Sequence, residues 1–170
     1  MNIENRPNTK PVSTWGLDPM FWTSAKLFVG DLHAALPSDS ASVFFIGTHV
    51  VRTVQVVGIV VSVDTRSPKL TVILLQGPLS LMFSQCNVVD DGTGVIPCAQ
   101  FVAPDEVPAM CQMYELGSTV CVEGRLSTFR DVRQVVIRSI KHIDPNQEVL
   151  GWLERLSLRQ FLQASIEPQI

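Results

Sequence analysis

Residues 119–143 read TVCVEGRLSTFRDVRQVVIRSIKHI. Val120, Val122, Gly124 and Leu126 alternate strictly with Cys121, Glu123, Arg125 and Ser127. A period of two sends one set into a core and the other toward solvent, so Arg125 is expected to be exposed. Thr128 to Asp131 leaves room only for a tight reversal before the β-branched run Val132 to Ile143, which makes the stretch a β-hairpin with Phe129 and Arg130 near its tip. The hairpin carries five basic residues (Arg125, Arg130, Arg133, Arg138 and Lys141) against two acidic ones (Glu123 and Asp131), a local excess of three in a chain of formal charge −3. Affinity for phosphate rests on Lys and Arg, so an acidic chain meets nucleic acid through a local patch of this kind; the alternative is a solvated strand pair whose charges only maintain solubility.

Working toward the N-terminus, Asp90-Asp91-Gly92-Thr93-Gly94 is turn chemistry, and it opens a strand from Val95 to Val102. Ile96 and Cys98 fall on one face of that strand and Val95, Ala99 and Phe101 on the other, with Pro97 where no ladder donor is needed. Val54 to Val63 is apolar on both faces, as in a long strand that bends to serve two sheets, and Gly58 marks the bend. After a turn at Thr65 to Pro68, Leu70, Val72 and Leu74 alternate as the inward side of a second strand, with Lys69, Thr71 and Ile73 outward. Leu75 to Val89, which starts with Gln76-Gly77-Pro78, has the look of an insertion between that strand and the Asp-Asp-Gly turn. Pro104 and Pro108 hold any helix between Ala103 and Leu116 to a turn or two.

Helical spacing occurs at the two ends. Asp18-Pro19 supplies an N-cap followed by proline at the first helical position, and Phe21, Ala25, Phe28, Val29 and Leu32 then form one apolar face. Asp144-Pro145-Asn146-Gln147 repeats the capping logic, with Val149, Trp152, Leu153 and Leu156 following at i, i+3, i+4 and i+7. That stripe either packs on the barrel or binds a partner.

Composition sets the outer limits. With 170 residues, 46% apolar and 17% charged, one domain is expected: a tail at 1–14, a domain at 15–162 containing the 75–89 insertion, and a tail at 163–170. No apolar run reaches the ~18 residues of a membrane helix. Met1 to Pro11 is polar where a signal peptide would be apolar, so a soluble, unexported protein is expected. Cys86, Cys98, Cys111 and Cys121 lie twelve, thirteen and ten apart without a CxxC pair, and His33, His49 and His142 are scattered. The expectation is therefore reduced thiols, no metal, no cofactor and no enzyme.

Five strands with a connector after the third and a helix after the fifth describe an all-β class, a five-stranded OB-fold barrel with an N-terminal and a C-terminal helix. Its second and third strands and its first and last hairpin loops commonly meet oligonucleotides. Several segments resemble Stn subunits of the CST telomere-capping complex: Trp15-Gly16-Leu17-Asp18-Pro19, Val56-Val57-Gly58-Ile59-Val60, the run from Asp90 to Cys98, Val122-Glu123-Gly124-Arg125-Leu126, and Asp144-Pro145-Asn146-Gln147-Glu148 leading to Trp152-Leu153. They occur in the family's order and span most of the chain. The resemblance implies a nuclear, telomeric role: binding single-stranded telomeric DNA beside a small Ten-type OB-fold subunit and the large CST subunit, and engaging DNA polymerase alpha-primase in lagging-strand fill-in. Functions of a C-terminal winged-helix region, found in longer family members, are not carried over.

Physical chemistry supplies the candidate residues. Phe101 offers a ring for a base. Arg66, Lys69, Arg130 and Arg133 offer cations at the two loop mouths, and Arg125 joins them from the hairpin face. Val149, Trp152, Leu153 and Leu156 offer a partner surface. A stacked base is worth ~1–3 kcal/mol, so one aromatic and a few cations call for a neighbouring subunit to extend the groove. The competing functions are a protein-interaction scaffold that touches no nucleic acid and a single-strand binder like the middle subunit of replication protein A.

Overall fold

The computed structural model describes residues 10–40, 42–63, 69–73, 80–102 and 114–164, with side chains at 10–40, 42–63, 86–101 and 114–162. After a 3-10 turn at Val12–Leu17 come α1 (Pro19–Trp22), β1 (Ser24–Lys26), α2 (Val29–Ala34), β2 (Leu36–Pro37), β3 (Phe44–Ile46) and β4 (His49–Val51). Then follow β5 (Thr53–Val63), β6 (Lys69–Ile73), β7 (Ser80–Asp90), β8 (Val95–Val102), β9 (Thr119–Phe129), β10 (Val132–His142) and α3 (Pro145–Ala164). Among the described residues no helix is long and apolar enough to cross a membrane.

Five of these strands close a barrel. β5 pairs antiparallel with β9 and β7, β9 with β10, and β7 with β8, while a parallel pairing of β10 with β8 completes the circuit. The alternation read from sequence sets the inside: Val54, Val56, Val60, Val89, Ile96, Cys98, Val120, Val122, Leu126 and Val135 are all buried in one cluster. Two glycines let strands approach where a side chain could not fit. A Cβ at Gly58 would stand 2.3 Å from the Asp90 carbonyl oxygen, and one at Gly124 would stand 2.2 Å from that of Val136. Gly58 is thus where β7 closes over β5, at the bend expected for this strand.

Three expectations are corrected. Residues 75–89 are not an insertion over most of their length, because β7 is the second barrel strand: Phe83 to Asp90 pair with Val102 to Val95, and Asn87 to Asp90 pair with Val63 to Ile59. The strand expected at 70–74 is β6, an edge strand laid antiparallel on the first half of β7; its side chains lie outside the described residues. The single N-terminal helix is instead one turn, a short strand and a second short helix. Ser24–Lys26 is drawn into a parallel ladder with Thr53–Gln55, which breaks the helical run, although Ala25, Phe28, Val29 and Leu32 are buried all the same. Between Leu36 and Val51 a small antiparallel sheet, β2-β3-β4, forms where no strands were expected. Residues 103–113, with any short helix there, and most of both expected tails lie outside the described residues.

Two carboxylates fasten the N-terminal segment to the barrel. Asp18 caps α1 by accepting from the Met20 amide at 3.0 Å, and it also accepts from Val50 N at 3.1 Å and Lys10 Nζ at 2.8 Å. Burial pushes its pKa upward, but these bonds and His49 outweigh it and hold the carboxyl at about 2. Asp91 in the β7–β8 turn accepts from Val29 N at 2.7 Å, so a residue far along the chain caps α2. Its other oxygen takes the Thr93 amide and hydroxyl at 2.9 and 2.7 Å, which fixes the turn.

Candidate nucleic-acid interface

The β9–β10 connection has two residues, Arg130 and Asp131, both at positive φ (50° and 63°). That is the backbone of a type I′ turn, whose twist matches a hairpin. It leaves a tip of exposed side chains: Phe129 and Val132 are 57% and 52% exposed, and the Arg130 guanidinium lies 5.2 Å from the Phe129 ring centroid. Phe129 is a candidate that the strand pattern by itself did not single out, although an aromatic at a hairpin tip was already a signal.

Arg133 has a different role. Its Nη1 donates to Thr128 Oγ1 at 3.0 Å and its Nη2 to the Ala35 carbonyl at 2.8 Å, while the guanidinium lies 4.3 Å over the Phe44 ring. Burial lowers its pKa. The side chain ties the hairpin to the N-terminal segment, and it borders a groove with His33, Phe44, Thr128 and Asp131.

The register gathers some of the remaining candidates and separates others. Lys69 is opposite Ser84 on β7, and Ser84 is opposite Phe101 on β8, so Lys69 and Phe101 share one row across three strands. Phe101 is half-buried, on the strand face opposite the buried Ile96 and Cys98. The parallel pairing of Val135 with Cys98 brings the start of β10, and with it the hairpin tip, abreast of Val95 at the other end of β8. One outer face is therefore bounded by the Lys69–Phe101 row at one end and the Phe129–Arg130 tip at the other, some ~20 Å apart along the strand. Arg125 lies elsewhere: exposed on β9 between Thr53 and Val136, two strands round the barrel from β8. Arg66 lies outside the described residues.

The terminal helix presents a second surface. The Asp144 side chain accepts from Asn146 N at 2.8 Å and opens α3, as the capping pattern anticipated. Gly151, Arg155 and Leu162 are buried against the barrel and its N-terminal strand, with Arg155 donating through Nε to the Leu27 carbonyl at 3.2 Å. Burial lowers the Arg155 pKa. Ion pairs Lys26–Glu154 (2.8 Å) and Arg159–Asp31 (3.3 Å) flank the contact. The stripe points away from it: Val149, Leu153 and Leu156 are 61%, 58% and 44% exposed. Trp152 sits on the boundary, its ring edge-on to Phe28 at 5.3 Å.

Among the described residues no group of three His, Cys, Asp or Glu could hold a metal. Burial pushes the Cys98 thiol up to about 12, far from a reactive thiolate.

No protein-family model matches the chain. Curated relatives do: the CST complex subunit STN1 of Arabidopsis thaliana is 28% identical over 159 residues, covering 81% of this chain and 90% of the relative. The protein of the same name from Ailuropoda melanoleuca is also 28% identical over 159 residues, but there the match spans only 39% of the relative's length. Among solved structures, the S. pombe Stn1–Ten1 complex contains a chain that superposes with a TM-score of 0.68 at 21% identity, covering 85% of this chain and 96% of that one. A chain of a replication protein A heterotrimer bound to single-stranded DNA superposes with a TM-score of 0.62 at 18% identity, covering 82% and 98%. At these identities the structural matches establish the fold, an OB-fold barrel, as the strand pattern implied.

Proposed function

The chain is related to the Stn subunits of CST complexes, and on that premise we propose that it is a single-stranded telomeric DNA-binding subunit of a CST-type complex. In this role it is a binding protein, not an enzyme. It acts in the nucleus, at the telomeric region of chromosomes, in telomere capping and maintenance and in fill-in with DNA polymerase alpha-primase. The observation that carries the proposal is the outer face of β8 and the hairpin beside it: Phe101 stands at one end, with Lys69 in register with it two strands away, and the Phe129–Arg130 tip stands at the other. Bases stack on rings without regard to sequence while cations take the phosphates, which is how OB-folds hold single strands. Arg133 supports the face by fixing the hairpin, and Arg125 contributes from the neighbouring surface.

Two rings and two cations make a weak site, because each stacked base contributes only ~1–3 kcal/mol. A partner that lengthens the groove is therefore part of the proposal. The stripe of Val149, Trp152, Leu153 and Leu156 on α3 is its seat, and a small Ten-type OB-fold subunit is its occupant, with the large CST subunit joining beyond. The S. pombe chain that superposes on this one comes from an Stn1–Ten1 complex.

Fluorescence anisotropy of the chain reconstituted with its small partner tests this. A telomeric single strand is expected to bind more tightly than a duplex of the same length and to lose affinity steeply with salt. Phe101→Ala combined with Arg130→Ala is expected to weaken binding at least tenfold. An intact heterodimer that ignores single strands at low salt would instead be a protein-interaction scaffold.

A further inference from the structure

On the outer face of β5, β9 and β10, which runs round the barrel from β8, lies an open groove lined by Phe21, Trp22, Arg52, Thr53, Arg125, Val136, Ile137 and Arg138. The ladder explains how three arginines meet there. Arg125 stands between Thr53 and Val136 in register, and Arg52 directly precedes Thr53. A register shift between Ile137 and Ser139 leaves both Arg138 and Ser139 exposed, while Ile137 and Ile140 still pack against the core. Among the described residues, none of the three guanidinium groups has a carboxylate within ion-pair distance, and no acidic side chain lines the groove.

Trp22 stands at the edge of this cationic floor. Its ring is 73% exposed, yet it is held: Nε1 donates to the Gly16 carbonyl at 2.9 Å, and Phe21 packs against it at right angles, 5.1 Å between centroids. A fixed, bare indole beside three unpaired guanidinium groups matches a ligand that is both anionic and aromatic. We propose that this groove is a second subsite for single-stranded nucleic acid, with a base stacked on Trp22 and phosphates taken by Arg52, Arg125 and Arg138. The proposal rests on the function proposed above and extends the strand's path: Arg138 is on β10, the neighbour of β8, so a strand leaving the Phe101 end crosses β10 to reach Trp22.

The test uses the reconstituted heterodimer, a telomeric oligonucleotide and three variants: Arg52→Ala with Arg138→Ala, Trp22→Leu, and Arg130→Ala. All four positions are at the surface, and circular dichroism melts confirm that each variant folds. The double arginine variant is expected to lower the slope of log K against log salt by about 1.4, at ~0.7 per phosphate contact of a single strand. Trp22→Leu is expected to weaken binding about tenfold and to abolish the oligonucleotide-induced quenching of tryptophan fluorescence, whereas Arg130→Ala lowers affinity but retains the quenching once the protein is saturated with oligonucleotide. If the heterodimer binds the oligonucleotide but the double variant keeps the full salt slope, this inference is overturned while the proposed function stands. It is equally overturned if the double variant loses only its affinity for the partner protein, which would make the groove a protein contact. If the parent heterodimer binds no single strand, both fall.

Discussion

Leu153→Ala and Leu153→Asp separate the partner surface from the fold. Leu153 is 58% exposed on α3, while the helix holds to the barrel through Gly151, Arg155 and Leu162. Fully burying a leucine contributes ~1.5–3 kcal/mol, so a partner that covers the remaining three-fifths gains ~1–2 kcal/mol from this side chain. Leu153→Ala should therefore raise the Kd for the small partner subunit by about five- to thirtyfold, since each ~1.4 kcal/mol is a factor of ten. Leu153→Asp should do far more, because a carboxylate trapped unpaired in that contact costs several kcal/mol on top of the lost burial. Titration calorimetry gives the Kd, and thermal melts of the isolated chain should show both variants within about 0.5 kcal/mol of the parent. Normal partner binding by Leu153→Asp, or unfolding of the isolated chain by that substitution, would refute this assignment of the helix face.

Three further outcomes follow from the fold. The Asp18 pKa is held at about 2 against an ordinary 3.8, so its stabilisation is in full force above about pH 4 and disappears as pH falls through about 2. Asp18→Asn should cost ~2 kcal/mol at pH 7 and flatten the acid limb of stability measured by urea unfolding. Gly124→Ala should destabilise by ~3 kcal/mol or more in the same assay, because the new methyl would lie 2.2 Å from the Val136 carbonyl oxygen. Replacing Arg130-Asp131 by Asn-Gly suits the turn's positive φ angles and should raise the unfolding free energy by ~1 kcal/mol, while weakening oligonucleotide binding in anisotropy through loss of the tip cation.

The β9–β10 hairpin was legible because Val122 to Ser127 follow a period of two right up to a tight turn, and its tip cation and capped terminal helix came with it. β7 was not legible. Asn87 occupies a buried inward position that breaks the apolar alternation, and the strand's identity is set by ladders with residues 59–63 and 95–102, which no local window contains. The N-terminal apolar residues were rightly assigned to the core but wrongly to one helix, since their spacing fits a 3.6 period by coincidence while Ser24–Lys26 answers to Thr53–Gln55. For the site, residue type was visible but company was not. Nothing local tells that Lys69 shares a row with Phe101, that Arg133 is committed to Ala35 and Phe44, or that Trp22 lies beside Arg52, Arg125 and Arg138.

Hydrogen–deuterium exchange on the chain alone, with the small partner subunit, and with partner plus telomeric single strand tests the two-surface account most directly. The partner should slow exchange along α3 around Val149 to Leu156, and adding DNA should slow it in β7, β8 and the Phe129–Arg130 turn without further change in α3. DNA protection confined to α3, or none on the β7–β8 face, would contradict the account.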